Sequence, residues 1–282
     1  MKYVVLKNFI DKKTCESLIQ GANKFLDYNN HIVIHKNRIM INATNSEYSE
    51  LLKSSIHWDN LNKKFNSPEF LKFCLDKINI NSENFCLKDF FKIKNPSFNQ
   101  KIYKRICNSK TKLVPDISLV KFLLYRFYRN IYRNIKFSKI FYPKTKPVEL
   151  LYDYSRAGDG YSIEVHRDSD SRLAVFLLFL NSLPEDSNAT GGNLHFHKLI
   201  KEDKNLSRPS NESCEEIEKI KPEPGTLVIF SNENDSYHSV SEMKGFKDKY
   251  RYFIYGGFTL LSQRNPLITG KTKQDTSFHI YE

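Results

Sequence analysis

The sequence predicts a mainly β protein with flanking helices, in the α+β class. Three observations support this. From about residue 148 onward, short apolar or alternating runs are separated by turn residues such as Gly191-Gly192. The first part of the chain instead shows helical periodicity. The composition, 40% hydrophobic and 13% aromatic over 282 residues, is enough to form a core. Some seven or eight strands at this spacing are typical of an all-β sandwich or barrel.

The N-terminal part predicts one strand followed by helices. Residues 3–6 read as a short strand, and Asp11 reads as the N-cap of an amphipathic helix. Residues 31–41 contain a candidate strand. Residues 47–80 are expected to be mostly helical, with a helix beginning at Pro68.

The C-terminal part predicts the strands of the β core. They are expected at residues 148–154, 161–165, 173–180, 193–197, 226–230, 238–243 and 249–258. Residues 199–219 are polar and are expected to form an exposed loop. We therefore divide the chain into residues 1–87, 88–147 and 148–282, which together make one integrated domain.

The positive charge is concentrated in one segment. The chain has a net charge of +12, and residues 88–147 hold 16 basic and 2 acidic side chains, so the rest of the chain is close to neutral. Residues 117–137 predict a basic amphipathic helix, which either packs on the domain or binds a membrane surface or an anionic partner. Binding to nucleic acid is the less favoured interpretation of this segment.

The cysteines, the first residues and the lack of a long apolar run predict a cytoplasmic protein. None of the five cysteines forms a CxxC pair, and the number is odd, which disfavours a disulfide framework or a zinc-ribbon site. The first residues lack the apolar segment of a signal peptide. No apolar run is long enough for a transmembrane helix.

One group of residues has the chemistry of a metal site. His166 and Asp168 are two residues apart at the end of a predicted strand, so their side chains point the same way. His238 lies at the start of another predicted strand. Two histidines and one carboxylate on one face of a metal are typical of non-haem Fe(II) oxygenases, because the opposite face stays open for co-substrate and O₂.

An arginine in an aromatic strand predicts an anion site. Arg251 lies on the same face of its predicted strand as Phe253 and Tyr255. A guanidinium in such surroundings requires an anion, and it can hold a carboxylate through two parallel hydrogen bonds. Lys249 has the same parity and is the alternative cation.

The order of several blocks resembles the 2-oxoglutarate/Fe(II) oxygenase superfamily, in its prolyl 4-hydroxylase-like branch. The blocks are Tyr154-Ser-Arg-Ala-Gly-Asp-Gly-Tyr161, His166-Arg-Asp168, Phe176-Leu-Leu-Phe-Leu-Asn181, Gly191-Gly-Asn-Leu-His-Phe196, Pro224-Gly-Thr-Leu-Val-Ile-Phe230, His238-Ser-Val240 and Arg251-Tyr252. The resemblance covers about residues 148–258. It implies a double-stranded β-helix, or jelly roll, as the core.

The resemblance also implies roles for residues. His166, Asp168 and His238 would hold Fe(II), and Arg251 with Tyr154 would bind 2-oxoglutarate. O₂ would be the oxidant, with ascorbate as a reductant. The implied reaction hydroxylates an unactivated C–H bond and converts 2-oxoglutarate to succinate. Asp168 favours hydroxylation, since halogenating relatives have a small residue at that position.

Three further residues are candidates for contact with the substrate. Arg172 stands where the family often has an arginine facing the substrate. His195 and His197 share a strand face and are a competing metal pair, but they lack a nearby carboxylate, so a metal role is disfavoured and they are kept as candidates for lining the substrate pocket.

Two positions depart from the family pattern. Phe179 stands where some relatives have a tyrosine that contacts 2-oxoglutarate. Gly257 stands where many prolyl hydroxylases have a tryptophan and where nucleic-acid demethylases have a second arginine.

The substrate therefore stays open. A peptidyl or free amino acid or another small metabolite is favoured. The alternatives are an anionic substrate (nucleotide-, phosphate- or lipid-linked) held by the basic segment, and a non-catalytic binding module of the same fold.

Overall fold

The computed structural model describes residues 1–26, 37–42, 47–87, 145–183, 189–203, 205–260 and 265–269. The basic segment 88–147 lies outside these ranges except for its last three residues, so the predicted helix at 117–137 is also outside them. Among the described residues, no helix is long and apolar enough to cross a membrane.

Four α-helices and eleven strands form the described fold. The helices are α1 (Lys12–Asn23), α2 (Tyr48–Ser54), α3 (Ile56–Phe65) and α4 (Pro68–Lys77). The strands are β1 (Tyr3–Leu6), β2 (Arg38–Asn42), β3 (Phe85–Leu87), β4 (Lys146–Ala157), β5 (Ile163–His166), β6 (Arg172–Phe179), β7 (Leu194–Leu199), β8 (Cys214–Ile220), β9 (Leu227–Ser231), β10 (Tyr237–Val240) and β11 (Arg251–Leu260). Short 3₁₀ turns lie at Ser82–Asn84 and Asn211–Ser213.

The strands form two sheets, as the jelly-roll prediction requires. The larger sheet has the order β1-β9-β6-β11-β4-β2, and β3 pairs with β4 in parallel. The smaller sheet has the order β5-β10-β7-β8. All other strand pairs are antiparallel. The predicted mainly β fold with flanking helices is confirmed.

Alternation along the strands divides the core into two parts. One face of the larger sheet packs on the helices, where Trp58, Phe65 and Phe176 are buried. The other face, which we call the inner face, packs toward the smaller sheet through residues such as Phe179 and Phe253. The inner-face side chains of this second cluster therefore lie between the two sheets.

Local signals located the N-terminal elements correctly. The Asp11 side chain accepts a hydrogen bond from the Thr14 amide at 2.8 Å, which caps α1. Ser67 caps α4 in the same way, and Pro68 is its first residue. Strand β1 adds to the larger sheet through β9, so the N-terminal segment is part of the core sheet.

The prediction of a loop over residues 199–219 was wrong at its C-terminal end. Strand β8 occupies residues 214–220 and pairs with β7 at the edge of the smaller sheet. Its sequence, Cys-Glu-Glu-Ile-Glu-Lys-Ile, is mostly exposed. Charged side chains are common on edge strands because they discourage pairing with other chains, so polarity here does not indicate a loop.

Candidate active site

Two neighbouring strands of the smaller sheet carry the predicted metal ligands. His166 is the last residue of β5, and Asp168 follows it by two residues. His238 on β10 lies directly opposite His166 in the antiparallel pair. Strand pairing therefore brings together residues that are 72 positions apart in the sequence.

The three side chains converge closely enough to bind one ion. Their candidate ligand atoms all lie within 4.8 Å of one another, and no comparable group of three occurs elsewhere in the described chain. The distance from His238 Nε2 to Asp168 Oδ2 is 3.9 Å. The imidazole rings of His166 and His238 have centroids 4.2 Å apart.

Hydrogen bonds orient both imidazoles for ligation through Nε2. His166 Nδ1 donates to the Glu164 carbonyl oxygen at 2.9 Å, and His238 Nδ1 donates to the Ser236 carbonyl oxygen at 3.4 Å. Such bonds fix the tautomer that leaves Nε2 as the free ligand. Burial, assisted by the neighbouring His166, lowers the pKa of His238 to about 3. His238 is therefore neutral near pH 7, which is the form that binds a metal.

Asp168 is held as a carboxylate. Burial acts to raise its pKa, but electrostatic interactions with His238, Arg172 and His166, together with a hydrogen bond from Tyr255, lower the pKa overall. The Tyr255 hydroxyl donates to Asp168 Oδ1 at 3.2 Å and approaches Oδ2 at 3.4 Å. The Tyr255 hydroxyl thus helps to fix the orientation of the Asp168 carboxylate. The sequence predicted that Tyr255 shares a strand face with Arg251, but it did not predict the contact with Asp168.

The donor set fits Fe(II). Two imidazoles and one carboxylate make the facial set that non-haem iron oxygenases use, and they leave coordination positions for co-substrate and O₂. The fit is supported by the two backbone-oriented rings and by the Tyr255 contact, which constrain all three ligands.

Arg251 is a fully buried cation with no partner in the part of the chain that the structure describes. Its side chain is 0% exposed, and none of its three guanidinium nitrogens has a hydrogen-bond partner among the described residues. The guanidinium carbon lies 4.7 Å from the Phe253 ring, 5.1 Å from the Phe179 ring and 5.9 Å from the Tyr161 ring. Burial lowers the pKa of Arg251 to about 10, so the group stays charged near neutral pH. A buried charge of this kind is costly unless an anion binds it.

Lys249, the alternative cation, is placed differently. It precedes β11 and is exposed, whereas Arg251 begins the strand and points into the core between the sheets. The geometry therefore favours Arg251 as the anion-binding residue. Phe179 packs against its guanidinium and supplies no hydroxyl, at the position where some relatives have a tyrosine.

The structure contradicts the predicted role of Tyr154. This residue lies opposite Ile254 on β11, so it shares the helix-side face and packs edge-on against Trp58 at 5.2 Å. Arg251 lies opposite Ala157, on the inner face. The role of Tyr154 was implied by the resemblance alone, which does not fix the strand face; successive residues of a strand point to opposite faces, and Tyr154 has the opposite parity to Ala157.

His195 and His197 also point away from the triad. Phe196 lies opposite His238 and belongs to the core between the sheets, so its two neighbours occupy the outer face of the smaller sheet. His195 Nδ1 pairs with Glu216 at 2.7 Å, and His197 Nε2 with Ser239 at 2.7 Å. The prediction that they line the substrate pocket is wrong for this reason.

Arg172 lies beside the triad, and its side chain occupies the space that a side chain at Gly257 would fill. A Cβ atom added to Gly257 would be 2.0 Å from Arg172 Nη1. The Arg172 guanidinium is 5.8 Å from the Tyr255 ring, and its charge acts on Asp168. A larger residue at position 257 would displace this arginine.

A second buried arginine was not singled out from the sequence. Arg38 on β2 is 4% exposed and lies opposite Ala157, on the other side of that residue from Arg251. It donates to Asp153 Oδ1 at 2.6 Å and to Ser155 Oγ at 2.9 Å, and its guanidinium lies 5.8 Å from the Tyr255 ring. Arg38 begins the run Arg-Ile-Met-Ile-Asn, and a charged residue in such a strand-like apolar run was the signal that could have identified it.

Comparison with known proteins agrees with this geometry. Residues 151–257, which include both strands of the triad and Arg251, match the family model described as the 2OG-Fe(II) oxygenase superfamily. Over these residues the chain is similar to the 2OG-Fe(II) oxygenase superfamily. It thus carries a dioxygenase domain of the kind that uses Fe(II), 2-oxoglutarate and O₂. No curated protein sequence matches this oxygenase at a significant level.

Solved structures resemble this chain at low sequence identity. A structure of prolyl 4-hydroxylases from Phytophthora capsici is 14% identical with a TM-score of 0.50, covering 94% of this chain and 61% of that chain. The oxygenase therefore spans less than two thirds of the Phytophthora chain. A Pseudomonas putida prolyl-4-hydroxylase is 13% identical, covers 92% of both chains and has a TM-score of 0.40. A viral collagen prolyl hydroxylase of Paramecium Bursaria Chlorella virus-1 is 13% identical, covers 92% of this chain and 97% of that chain, and has a TM-score of 0.42.

Proposed function

We propose that this oxygenase hydroxylates an unactivated C–H bond of a peptidyl or free amino acid, or of another small metabolite. In the balanced reaction, substrate, O₂ and 2-oxoglutarate give hydroxylated substrate, succinate and CO₂. Fe(II) bound by His166, Asp168 and His238 supplies the oxidising chemistry. Asp168 at the third position supports hydroxylation over halogenation.

The observation that carries the proposal is the buried, unpartnered guanidinium of Arg251. It lies on the same inner face as Tyr255, which contacts the candidate iron ligand Asp168. A dicarboxylate could therefore bind Arg251 at one end and reach toward the triad with the other. Charge-assisted bonds from a guanidinium to a carboxylate are strong, and the surrounding aromatic rings exclude competing water.

The protein's own residues position the reactants. The neutral His238 and ionised Asp168 offer lone pairs without first losing a proton. Tyr255 holds the carboxylate in place, and Arg251 fixes the distal carboxylate of 2-oxoglutarate. Ascorbate is proposed as an external reductant.

The proposal also covers the location of the enzyme and the class of its substrate. We expect a cytoplasmic enzyme. Prolyl substrates are not specifically proposed, since Gly257 and Arg172 shape the site differently from a tryptophan at that position. Anionic substrates held by the basic segment 88–147, and membrane or anionic partners of residues 117–137, are the alternative.

The test compares two histidines that lie on opposite faces of the smaller sheet. Anaerobic wild-type protein with Fe(II) and 2-oxoglutarate should show a weak visible charge-transfer band, and it should form succinate when O₂ is admitted. His238→Ala should abolish both signals, whereas the matched outer-face variant His197→Ala should retain both. Absence of band and succinate in the folded wild type would refute the proposed function.

A further inference from the structure

One of the three candidate iron ligands lies in a loop, whereas the other two lie on paired strands. His166 and His238 are directly opposite each other in neighbouring strands, so the hydrogen bonds of the sheet fix their backbone. Asp168 lies in the loop between β5, which ends at His166, and β6, which begins at Arg172. Contacts other than strand pairing must therefore hold the third ligand in place.

Asn232, the residue after β9, holds this loop through its side-chain amide. Asn232 is 1% exposed, and its Nδ2 donates to the carbonyl oxygens of Ser169 at 2.8 Å and Arg172 at 2.9 Å. The same nitrogen lies 3.5 Å from the Asp168 carbonyl oxygen. Its backbone amide donates to the Leu173 carbonyl oxygen at 3.1 Å. One residue therefore ties the loop, from Asp168 onward, to the end of β9.

Asn265, in the segment that follows β11, holds the same loop from a second element. It is 1% exposed, and its backbone amide donates to the Asp170 carbonyl oxygen at 2.7 Å. Its Nδ2 donates to the Arg172 carbonyl oxygen at 2.8 Å and to the Asn232 carbonyl oxygen at 2.5 Å. The two asparagines, which we call the asparagine pair, are thus bonded to each other and share one acceptor on the loop.

The hydrogen bonds of the loop carbonyls come from distant parts of the chain. The Leu260 amide, at the end of β11, donates to the Ser171 carbonyl oxygen at 2.8 Å. Together with the asparagine pair, it gives a donor to every carbonyl oxygen from residue 169 to residue 172. Buried backbone groups that are all paired hold a loop in one conformation. Contacts that orient a ligand in this way also set the affinity for its metal.

We propose that Asn232 and Asn265 are positioning residues for the metal site, because together they hold the loop that presents Asp168 to the ion. This inference rests on the proposed function. It makes the segment after β11 necessary for metal binding, although no metal ligand is assigned to that segment. The asparagine pair also holds the backbone of Arg172, whose side chain lies beside the triad.

A merely structural role would have a different consequence from a positioning role. It would lower the stability of the fold, but the folded molecules would bind metal normally. Asn62 on α3 provides the matched control, since its Oδ1 accepts from the hydroxyls of Tyr48 at 2.9 Å and Tyr152 at 2.6 Å. These contacts lie on the helix side of the larger sheet. Asn62→Ala should therefore reduce stability without disturbing the loop.

The experiment measures the binding of Mn(II) alone to the full-length protein. Electron paramagnetic resonance reports the free ion during the titration, at a temperature where calorimetry shows each variant to be folded. Asn232→Ala and Asn265→Ala should each weaken Mn(II) binding about tenfold, as expected when a ligand loses a supporting contact. Asn62→Ala should bind Mn(II) within about twofold of the wild type, because distant sites act independently. His238→Ala should abolish binding, which assigns the ion to the triad.

A second measurement uses the wild type. Metal binding and the hydrogen bonds that position Asp168 should stabilise each other, because coupling between two sites is reciprocal. The amides of Leu260 and Asn265, which donate to the loop, should therefore exchange hydrogen more slowly when Mn(II) is bound. Mass spectrometry after short labelling times measures this exchange, when local openings dominate. The amides of α1 are the control and should change less.

The outcomes separate this inference from the proposed function. Normal Mn(II) affinity in folded Asn232→Ala or Asn265→Ala would overturn the inference, as would an equal loss of affinity in Asn62→Ala. If neither asparagine variant folds, unchanged exchange at Leu260 and Asn265 in the wild type overturns it, and slower exchange supports it. Binding that persists in His238→Ala also overturns it. If the folded wild type binds no Mn(II), the proposed function itself fails.

Discussion

At the residue scale, Arg251 combines a cost to the fold with a use in binding. A cation with 0% exposure and no partner among the described residues destabilises the ligand-free protein, and an anion that pairs with it recovers that free energy. Its effects on stability and on co-substrate affinity should therefore have opposite signs.

Replacing Arg251 separates these two effects. Arg251→Met should raise the thermal midpoint of the protein without ligands, because an unpaired buried charge is removed. The same change should weaken 2-oxoglutarate binding by about 2–3 kcal/mol, or roughly 30- to 150-fold. Calorimetry and titration of the charge-transfer band measure the two quantities. Lys249→Met, at an exposed position, is the control. If Lys249→Met weakened 2-oxoglutarate binding as much as Arg251→Met does, Arg251 would not be the anion-binding residue.

Tyr255 acts on iron through Asp168. Removal of its hydroxyl by Tyr255→Phe leaves the ring between Arg38 and Arg172 but frees the carboxylate to rotate. Loss of such a supporting contact typically lowers metal affinity about 10- to 100-fold. Titration with Fe(II) under anaerobic conditions measures the change. Tyr250→Phe, outside the strand and without a contact to the ligands, should bind Fe(II) like the wild type. Unchanged affinity in Tyr255→Phe would show that the Asp168 contact is incidental.

At the element scale, the helices support the larger sheet from the side opposite the site. Helix α4 places Phe70 against Phe176 of β6, with ring centroids 5.2 Å apart. The Ser67 side chain caps this helix by accepting from the Phe70 amide and donating to the Lys64 carbonyl. The cap thus fixes an element that is packed on a central strand of the larger sheet.

Removal of this cap should reduce stability but leave the chemistry intact. Ser67→Ala should lower the free energy of unfolding by about 1 kcal/mol, because an amide at the helix N-terminus loses its acceptor. Urea denaturation measures this. Ser17→Ala, in the middle of α1, is the control and should change stability by less than about 0.5 kcal/mol. A loss in Ser17→Ala as large as that in Ser67→Ala would argue against a capping role.

At the scale of the whole molecule, the site unites the two sheets. The triad belongs to β5, β10 and the residues after β5, whereas Arg251 and Tyr255 belong to β11 of the larger sheet. A metal and a dicarboxylate that bind both sets of residues would link the sheets, so ligand binding should stabilise the global fold.

Ligand binding can be followed through thermal unfolding. Mn(II), as a stable substitute for Fe(II), together with 2-oxoglutarate at about 100 times the dissociation constant should add about 2.7 kcal/mol. For a chain of this size, that corresponds to a rise of roughly 5–10 °C in the thermal midpoint. The shift should vanish in His238→Ala and persist in His197→Ala. An equal shift in both variants would indicate binding away from the triad.

The sequence by itself determined the features that depend on neighbours along the chain. The HxD pair needed only the two-residue period of an extended strand, and the helix starts needed only Asp11 and Pro68. The ordered blocks from residue 148 onward indicated the superfamily and its jelly roll, and the family model and the two-sheet fold confirmed both.

Tertiary structure alone decided which side chains share the site. Pairing of β10 with β5 places His238 opposite His166, and the same register turns His195 and His197 outward. The register of β4 turns Tyr154 toward the helices and brings Asp153 and Ser155 into contact with Arg38 on β2. A shift of one residue in a strand exchanges its two faces. Strand partner and register depend on contacts distant in sequence, so residue type and spacing could not reveal them.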